Sequence, residues 1–278
     1  MIRLEQFENG FEYLELENEL CKAKIALQGA HLFSFDPKSQ KPIIWLSEKS
    51  HFKLGSAIRG GIPICWPWFG DHSDDSTLPK HGFARTSLFD YEILKDEKAL
   101  SQIKFVLKSS KSSLTLWPYA FELNVIFTLC DTLHIELNTK NCDEKSFSIT
   151  QGFHTYFKVS NVQKTSILGI ENKTYLDFLV KKDFVQDRPL VIDKEVDRIY
   201  KAISNDIEIV DGKTQINIKT RGSNSTVIWN PWIEKSKTMS DMSIDSYKNM
   251  LCIESANVLD DFKVIKPDES CSLSVTIS

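Results

Sequence analysis

Apolar and polar residues alternate with a period of two at many points along this 278-residue chain. The runs Leu133-His134-Ile135-Glu136-Leu137, Gln215-Ile216-Asn217-Ile218-Lys219 and Leu273-Ser274-Val275-Thr276-Ile277 each put apolar side chains on one side of an extended segment. That pattern predicts half-buried strands. Val125-Ile126-Phe127-Thr128-Leu129 and the run from Leu133 are separated by a short polar break at Asp131-Thr132, which predicts a hairpin. No sustained helical period competes with these signals. A short helical turn is expected around residues 240–247, and the polar stretch 181–200 is expected to be a long loop or an excursion over one face. The charges of Lys181-Lys182-Asp183 read as a solvated face.

No Pro/Gly/Ser-rich linker and no fixed-period repeat divides the chain. The expectation is therefore an all-β protein, one large antiparallel β-sandwich occupying residues 1–278 as a single domain. Hydrophobic residues at 41% and charged residues at 26% are ordinary for a globular protein and argue against disorder. No apolar run approaches the roughly 20 residues needed to span a bilayer, and the N-terminus lacks a signal-peptide core, so no membrane partner and a cytoplasmic location are expected. The net charge of −4 argues against nucleic acid, whose backbone needs a concentrated basic field. The six cysteines, Cys21, Cys65, Cys130, Cys142, Cys252 and Cys271, are scattered without a C-x-x-C pair and are expected to be buried free thiols. His31, His51, His72, His81, His134 and His154 have no tight metal-ligand spacing, so a metal enzyme is not expected. The chain also lacks a G-x-S-x-G elbow, an H-E-x-x-H pair and an EF-hand loop.

Chemistry concentrates in Arg59-Gly60-Gly61-Ile62-Pro63-Ile64-Cys65-Trp66-Pro67-Trp68-Phe69-Gly70, followed by His81-Gly82-Phe83-Ala84-Arg85. The spacing of Gly60-Gly61 is not that of a nucleotide loop, and Pro63 and Pro67 forbid the helix such a loop needs. Two guanidinium groups supply planar forks for a phosphate or carboxylate, and the indoles of Trp66 and Trp68 offer flat apolar faces to a sugar. The expected ligand is a small, polar, anionic ring. Taken singly, His154 in Gln151-Gly152-Phe153-His154-Thr155-Tyr156-Phe157 reads as a core histidine, and Glu254 as the start of a surface loop. Taken together they suggest a general acid and base, because histidine titrates near neutrality. Asp197, next to Arg198, reads most simply as solvated surface, and Trp229-Asn230-Pro231-Trp232 as a buried turn or a ligand platform.

These motifs, in this order and over most of the chain, resemble the hexose-6-phosphate mutarotases, or glucose-6-phosphate 1-epimerases, of the aldose 1-epimerase and galactose mutarotase-like superfamily. The resemblance runs through Arg59–Gly70, Leu78–Arg85, His154–Phe157, Asp197–Tyr200, Trp229–Lys237 and Tyr247–Glu254. It implies interconversion of the α and β anomers of a hexose 6-phosphate. Glu254 would be the base on the anomeric hydroxyl and His154 the acid on the ring oxygen. Arg59 and Arg85 would bind phosphate, Asp197 would hold a hydroxyl, and His81 would orient the ring oxygen or a hydroxyl. Lys80 stands where glutamine is frequent, which leaves open a further phosphate contact or a solvated lysine. No cofactor is implied, a phosphosugar is the expected partner, and a monomer is expected. Two other readings stay open: an aldose 1-epimerase for unphosphorylated sugars, and a sugar-binding protein without turnover.

Overall fold

The computed structural model describes residues 1–202 and 206–278. Two large antiparallel sheets carry the architecture. One, with nine strands, contains Ser101–Lys108, Phe121–Leu129, Leu133–Asn141 and Ser270–Ile277, and each of these adjoins the next. The expected hairpin is there, with Leu129 opposite Leu133 and the pairing continuing to Phe121 opposite Asn141. Alternation is visible in the burial of Phe121–Leu129, where every second residue is buried and those between are half-buried. One face of this sheet meets the core and the other is wetted, which is why the period of two was visible.

The second sheet holds the functional region. Its order runs from Lys182–Val185 through Thr174–Asp177, Val196–Lys201, Ser225–Asn230, Met250–Asn257 and Gln151–Phe153 to Ile64–Cys65, with Tyr156–Lys158 also pairing against Met250–Asn257. Its central strands, Ser225–Asn230 and Met250–Asn257, are buried at every position. A strand covered on both faces has no reason to alternate. A four-stranded sheet, Ile2–Gln6 to His31–Pro37, and the small pair Phe147–Ile149 with Lys263–Ile265 complete the β structure. Leu, Ile, Val and Phe side chains from all of the larger sheets join in one core cluster.

Several expectations are corrected. Residues 181–200 are not a loop, because Lys182–Val185, Leu190–Val191 and Val196–Lys201 are strands. Polar residues in this stretch partner one another in part: Arg198 Nη1 and the Tyr200 hydroxyl both donate to Gln186 Oε1, at 3.0 and 2.8 Å, and the Arg198 guanidinium lies 4.5 Å from the centre of the Tyr175 ring, while Arg198 Nε is buried without a partner. Burying polar groups is tolerable when their hydrogen bonds are made. The helical turn expected around 240–247 falls at the end of that range, in Ser246–Asn249, and a further short helix, Trp232–Thr238, precedes it. Cys21, Cys65 and Cys252 are buried free thiols, whereas Cys142 is exposed and Cys130 and Cys271 are half-buried. Among the described residues, no helix is long and apolar enough to cross a membrane.

Candidate active site

Strand geometry brings the two proton-transfer candidates together. Glu254 lies in the middle of Met250–Asn257 rather than at a loop, and is 1% exposed. His154 sits in the short break between Gln151–Phe153 and Tyr156–Lys158, both of which pair with that same strand. Its Nε2 is 3.4 Å from Glu254 Oε1. Tyr156 stacks on the imidazole with centroids 4.8 Å apart and planes 10° apart, while Trp229 meets it edge-on at 6.0 Å. The ring is therefore held on two sides. His154 Nδ1 and Glu254 Oε2 are buried without a hydrogen-bond partner, which leaves polar capacity for a ligand.

Above this pair opens a cavity of about 510 Å³, within the range of small-molecule sites. All seven expected site residues line it: His154, Glu254, Arg59, Lys80, His81, Arg85 and Asp197. A hollow of similar volume, about 480 Å³, lies on the N-terminal sheet. There the charges Lys22, Lys24, Glu15 and Glu17 pair across the strand surface in largely exposed salt bridges, so nothing converges on a ligand.

The loop from Arg59 to Arg85 is built from the inside out. Gly61 has φ of +69°, and a Cβ there would come within 2.3 Å of His31 Nε2. His31 is itself buried and bonds through Nε2 to the Gly60 carbonyl at 2.9 Å. Burial lowers its pKa to about 4, so the neutral ring donates that hydrogen bond. Arg59 then reaches the cavity with its Nε on Asp241 at 3.0 Å and its Nη1 on the Tyr156 hydroxyl at 3.0 Å. Gly82 has φ of +72°, and a Cβ would lie 1.9 Å from the Trp66 carbonyl oxygen, so only glycine lets the turn close.

His81 in that turn accepts from the Gly70 amide on Nδ1, which leaves the proton of a neutral ring on Nε2. Burial, helped by Arg85, Lys80 and Arg59, lowers its pKa to about 3, so it stays a neutral donor. Arg85 donates through Nη2 to the Lys80 carbonyl at 2.5 Å. Lys80 itself is exposed at the rim, with Nζ 3.6 Å from Asp71. Asp197 is on a strand, not on solvated surface: it and Ile199 line the cavity, while Arg198 is buried away from it. Burial raises the Asp197 pKa, opposed by Lys235.

Trp66 and Trp68 do not form the expected sugar platform. Trp66 is fully buried, donates to Thr139 Oγ1 at 3.0 Å and packs against Trp117, Phe121 and Phe83. Trp68 donates to the Pro79 carbonyl at 2.9 Å. The two indoles pin the loop from inside, and the indole that lines the cavity is Trp229. Tyr156, Lys235 and Asp241 line the cavity as well and were not singled out from sequence. Tyr156 could have been found as the second residue after His154 on the same side of an extended segment. Asp241, 182 positions from the arginine it holds, gave no such signal.

Residues 12–278 match the family described as aldose 1-epimerase. The chain belongs to that family. It is thus an isomerase of the epimerase type, built on the galactose mutarotase-like β-sandwich. It is 32% identical over 260 residues to an Escherichia coli K12 protein provisionally named glucose-6-phosphate 1-epimerase, covering 92% of this chain and 86% of the other. A Cenchrus ciliaris protein with the same provisional name is 35% identical over 251 residues, with 86% and 75% covered. The YeaD structure from Salmonella typhimurium, provisionally described as a mutarotase, superposes with a TM-score of 0.93 at 30% identity, covering 99% and 92%.

Proposed function

We propose that this epimerase interconverts the α and β anomers of a hexose 6-phosphate, with Glu254 and His154 as the proton-transfer pair. The observation that carries the proposal is a buried imidazole–carboxylate pair, 3.4 Å apart, in a cavity also lined by Arg59 and Arg85. Opening a hemiacetal requires removal of the proton from the anomeric O–H and delivery of one to the ring oxygen as its bond to the anomeric carbon breaks. The aldehyde forms, rotation about the adjoining C–C bond turns its other face, and reclosure returns both protons. Two positioned groups suffice, each typically worth roughly 10²–10⁴-fold.

The charge state of the pair gives the phosphate a purpose. Burial, reinforced by Asp197, pushes the Glu254 carboxyl well above its usual range. Burial, reinforced by His81, Arg59 and Arg85, pushes the His154 imidazolium well below its own. Both shifts favour the neutral form of the pair, a protonated carboxyl beside a neutral imidazole. Moving that proton to the imidazole creates the carboxylate base and imidazolium acid, and the obstacle is partly the positive field of the two arginines. A phosphate dianion bound between Arg59 and Arg85 would cancel that field and favour the active ion pair. Neutral His81, with its proton on Nε2, is suited to donate to a ring or hydroxyl oxygen, and Asp197 to accept from a hydroxyl. Lys80 at the rim would add charge to phosphate capture.

The test is anomer exchange of glucose 6-phosphate followed by NMR magnetisation transfer, with glucose as the control and Glu254→Gln alongside. Acceleration for the phosphate alone, lost in the variant, is the expected result. Equal acceleration of both sugars would reassign the site to unphosphorylated aldoses, and no acceleration of either would remove the proposal for these substrates.

A further inference from the structure

One buried group beside the proton-transfer pair is unused by this chemistry. Cys252 precedes Glu254 by two residues on the same strand, so the two side chains leave the same face. His154 reaches that face from the neighbouring segment. One ligand atom from each, an imidazole nitrogen, a thiol sulfur and a carboxylate oxygen, all lie within 4.8 Å of one another. Cys252 is fully buried, Glu254 is 1% exposed, and Glu254 Oε2 has no partner. We propose that His154, Cys252 and Glu254 form an inhibitory binding site for a thiophilic divalent cation of the zinc class.

The dimensions suit such an ion. Zinc bonds of about 2.0–2.1 Å to nitrogen, 2.0–2.2 Å to oxygen and 2.3 Å to sulfur, at tetrahedral angles, set ligand atoms about 3.3–3.6 Å apart. The His154–Glu254 pair already has that separation at 3.4 Å. The sulfur has to close by up to about 1.2 Å, from within 4.8 Å to about 3.6 Å, within reach of small side-chain and strand adjustments. Three protein ligands leave the fourth position facing the cavity, available to water. The donor set is selective: sulfur with imidazole favours zinc-like ions, whereas magnesium and calcium favour oxygen alone. On binding, the Cys252 S–H and the protonated Glu254 carboxyl each give a proton to solvent, and the thiolate and carboxylate bond to the metal. A dication with one thiolate, one carboxylate and one neutral imidazole is uncharged overall, which limits the cost of burying it.

Inhibition follows because the metal would occupy the imidazole lone pair and the carboxylate together. That half of the proposal rests on the reading of His154 and Glu254 as the proton-transfer pair, whereas metal binding does not.

The experiment uses the full chain with exposed Cys142 replaced, Cys142→Ser, to remove an accessible competing thiol. Cobalt(II) is titrated in and the near-ultraviolet thiolate-to-cobalt charge-transfer band is read, with zinc displacement measured by calorimetry. The expected result is a band saturating at one metal per chain, absent in Cys252→Ala and at least tenfold weaker in binding in His154→Gln. The ratio of anomer-exchange rates without and with zinc should fall at least tenfold in Cys252→Ala. A missing band, or one that survives Cys252→Ala, overturns the proposal. If Cys252→Ala does not fold, His154→Gln and Glu254→Gln decide, since unchanged cobalt affinity in both also overturns it. A band that behaves as expected in a protein inactive on hexose phosphates supports the metal site while refuting the proposed substrate.

Discussion

Replacing Arg59 with glutamine should separate phosphate recognition from the chemistry of ring opening. A guanidinium has five N–H donors. Arg59 commits two of its own, to Asp241 and to the Tyr156 hydroxyl, and the remaining donors are free for a phosphate. Arg85 commits Nη2 to the Lys80 carbonyl and keeps the rest. A hydrogen bond to a charged group contributes about 1.5–3 kcal/mol, equivalent to about 10- to 150-fold at 1.36 kcal/mol per decade. Because Arg59 is held in place before the ligand arrives, little of this is spent on ordering it. Arg59→Gln should therefore raise KM for glucose 6-phosphate by about 10- to 150-fold. Arg85, restrained by one contact, gives up more rotamer freedom, and Arg85→Gln should cost less.

The same substitution removes one of the two positive charges that oppose the His154 imidazolium, so residual turnover of glucose, which brings no phosphate to cancel them, should hold or rise. The Arg59–Asp241 pair is about a third exposed on both sides, 28% and 30%, so losing it should cost the fold no more than about 1 kcal/mol. The assay is magnetisation-transfer exchange with both sugars over a range of concentrations. An equal loss for glucose and its phosphate would refute the reasoning, because Arg59 would then be holding Tyr156 and the loop in place instead of binding phosphate.

Glu254→Gln should lower kcat by about 10²- to 10⁴-fold. Since burial holds this carboxyl above its usual range, the folded state resists its ionisation, and stability is lost as pH rises from the unfolded value of 4.5. The melting temperature of the variant relative to the parent should therefore increase as the pH is raised above 4.5, and a decrease would contradict the assigned burial effect. Gly82→Ala meets both a positive φ and the Trp66 carbonyl, and should destabilise by about 3 kcal/mol in urea titration. A parental midpoint would mean that the turn accommodates a side chain. His31 has a pKa lowered from 6.5 to about 4, so the folded state binds fewer protons than the unfolded state in that window. Its contribution, full above pH 6.5, is lost as pH falls, by about 3 kcal/mol at pH 4. His31→Gln can keep a donor for the Gly60 carbonyl and should lose less over that range, whereas an identical acid profile would refute the role.

How much of this was readable from sequence depended on which faces of each strand meet water. Leu133–Asn141 and Ser270–Ile277 announce themselves because burial alternates along most of each strand. Ser225–Asn230 and Met250–Asn257 give no such signal, being covered on both faces, and Glu254 consequently reads as a loop residue when considered alone. Trp66 and Trp68 misled in the opposite direction. Their proline- and glycine-rich surroundings do mark a site loop, but composition cannot say which side of a loop faces the core. Asp241 was unreadable because its partner is reached through tertiary packing alone. Cys252 was discounted by its linear isolation, although two residues on an extended strand is the spacing that puts it beside Glu254. The more useful signal is therefore contradiction between a residue and its neighbours. In Met250-Leu251-Cys252-Ile253-Glu254, four residues suited to a core lead directly to a carboxylate. Burying that carboxylate without a partner would cost several kcal/mol, so a run of this kind implies that a ligand or a proton is to be exchanged there.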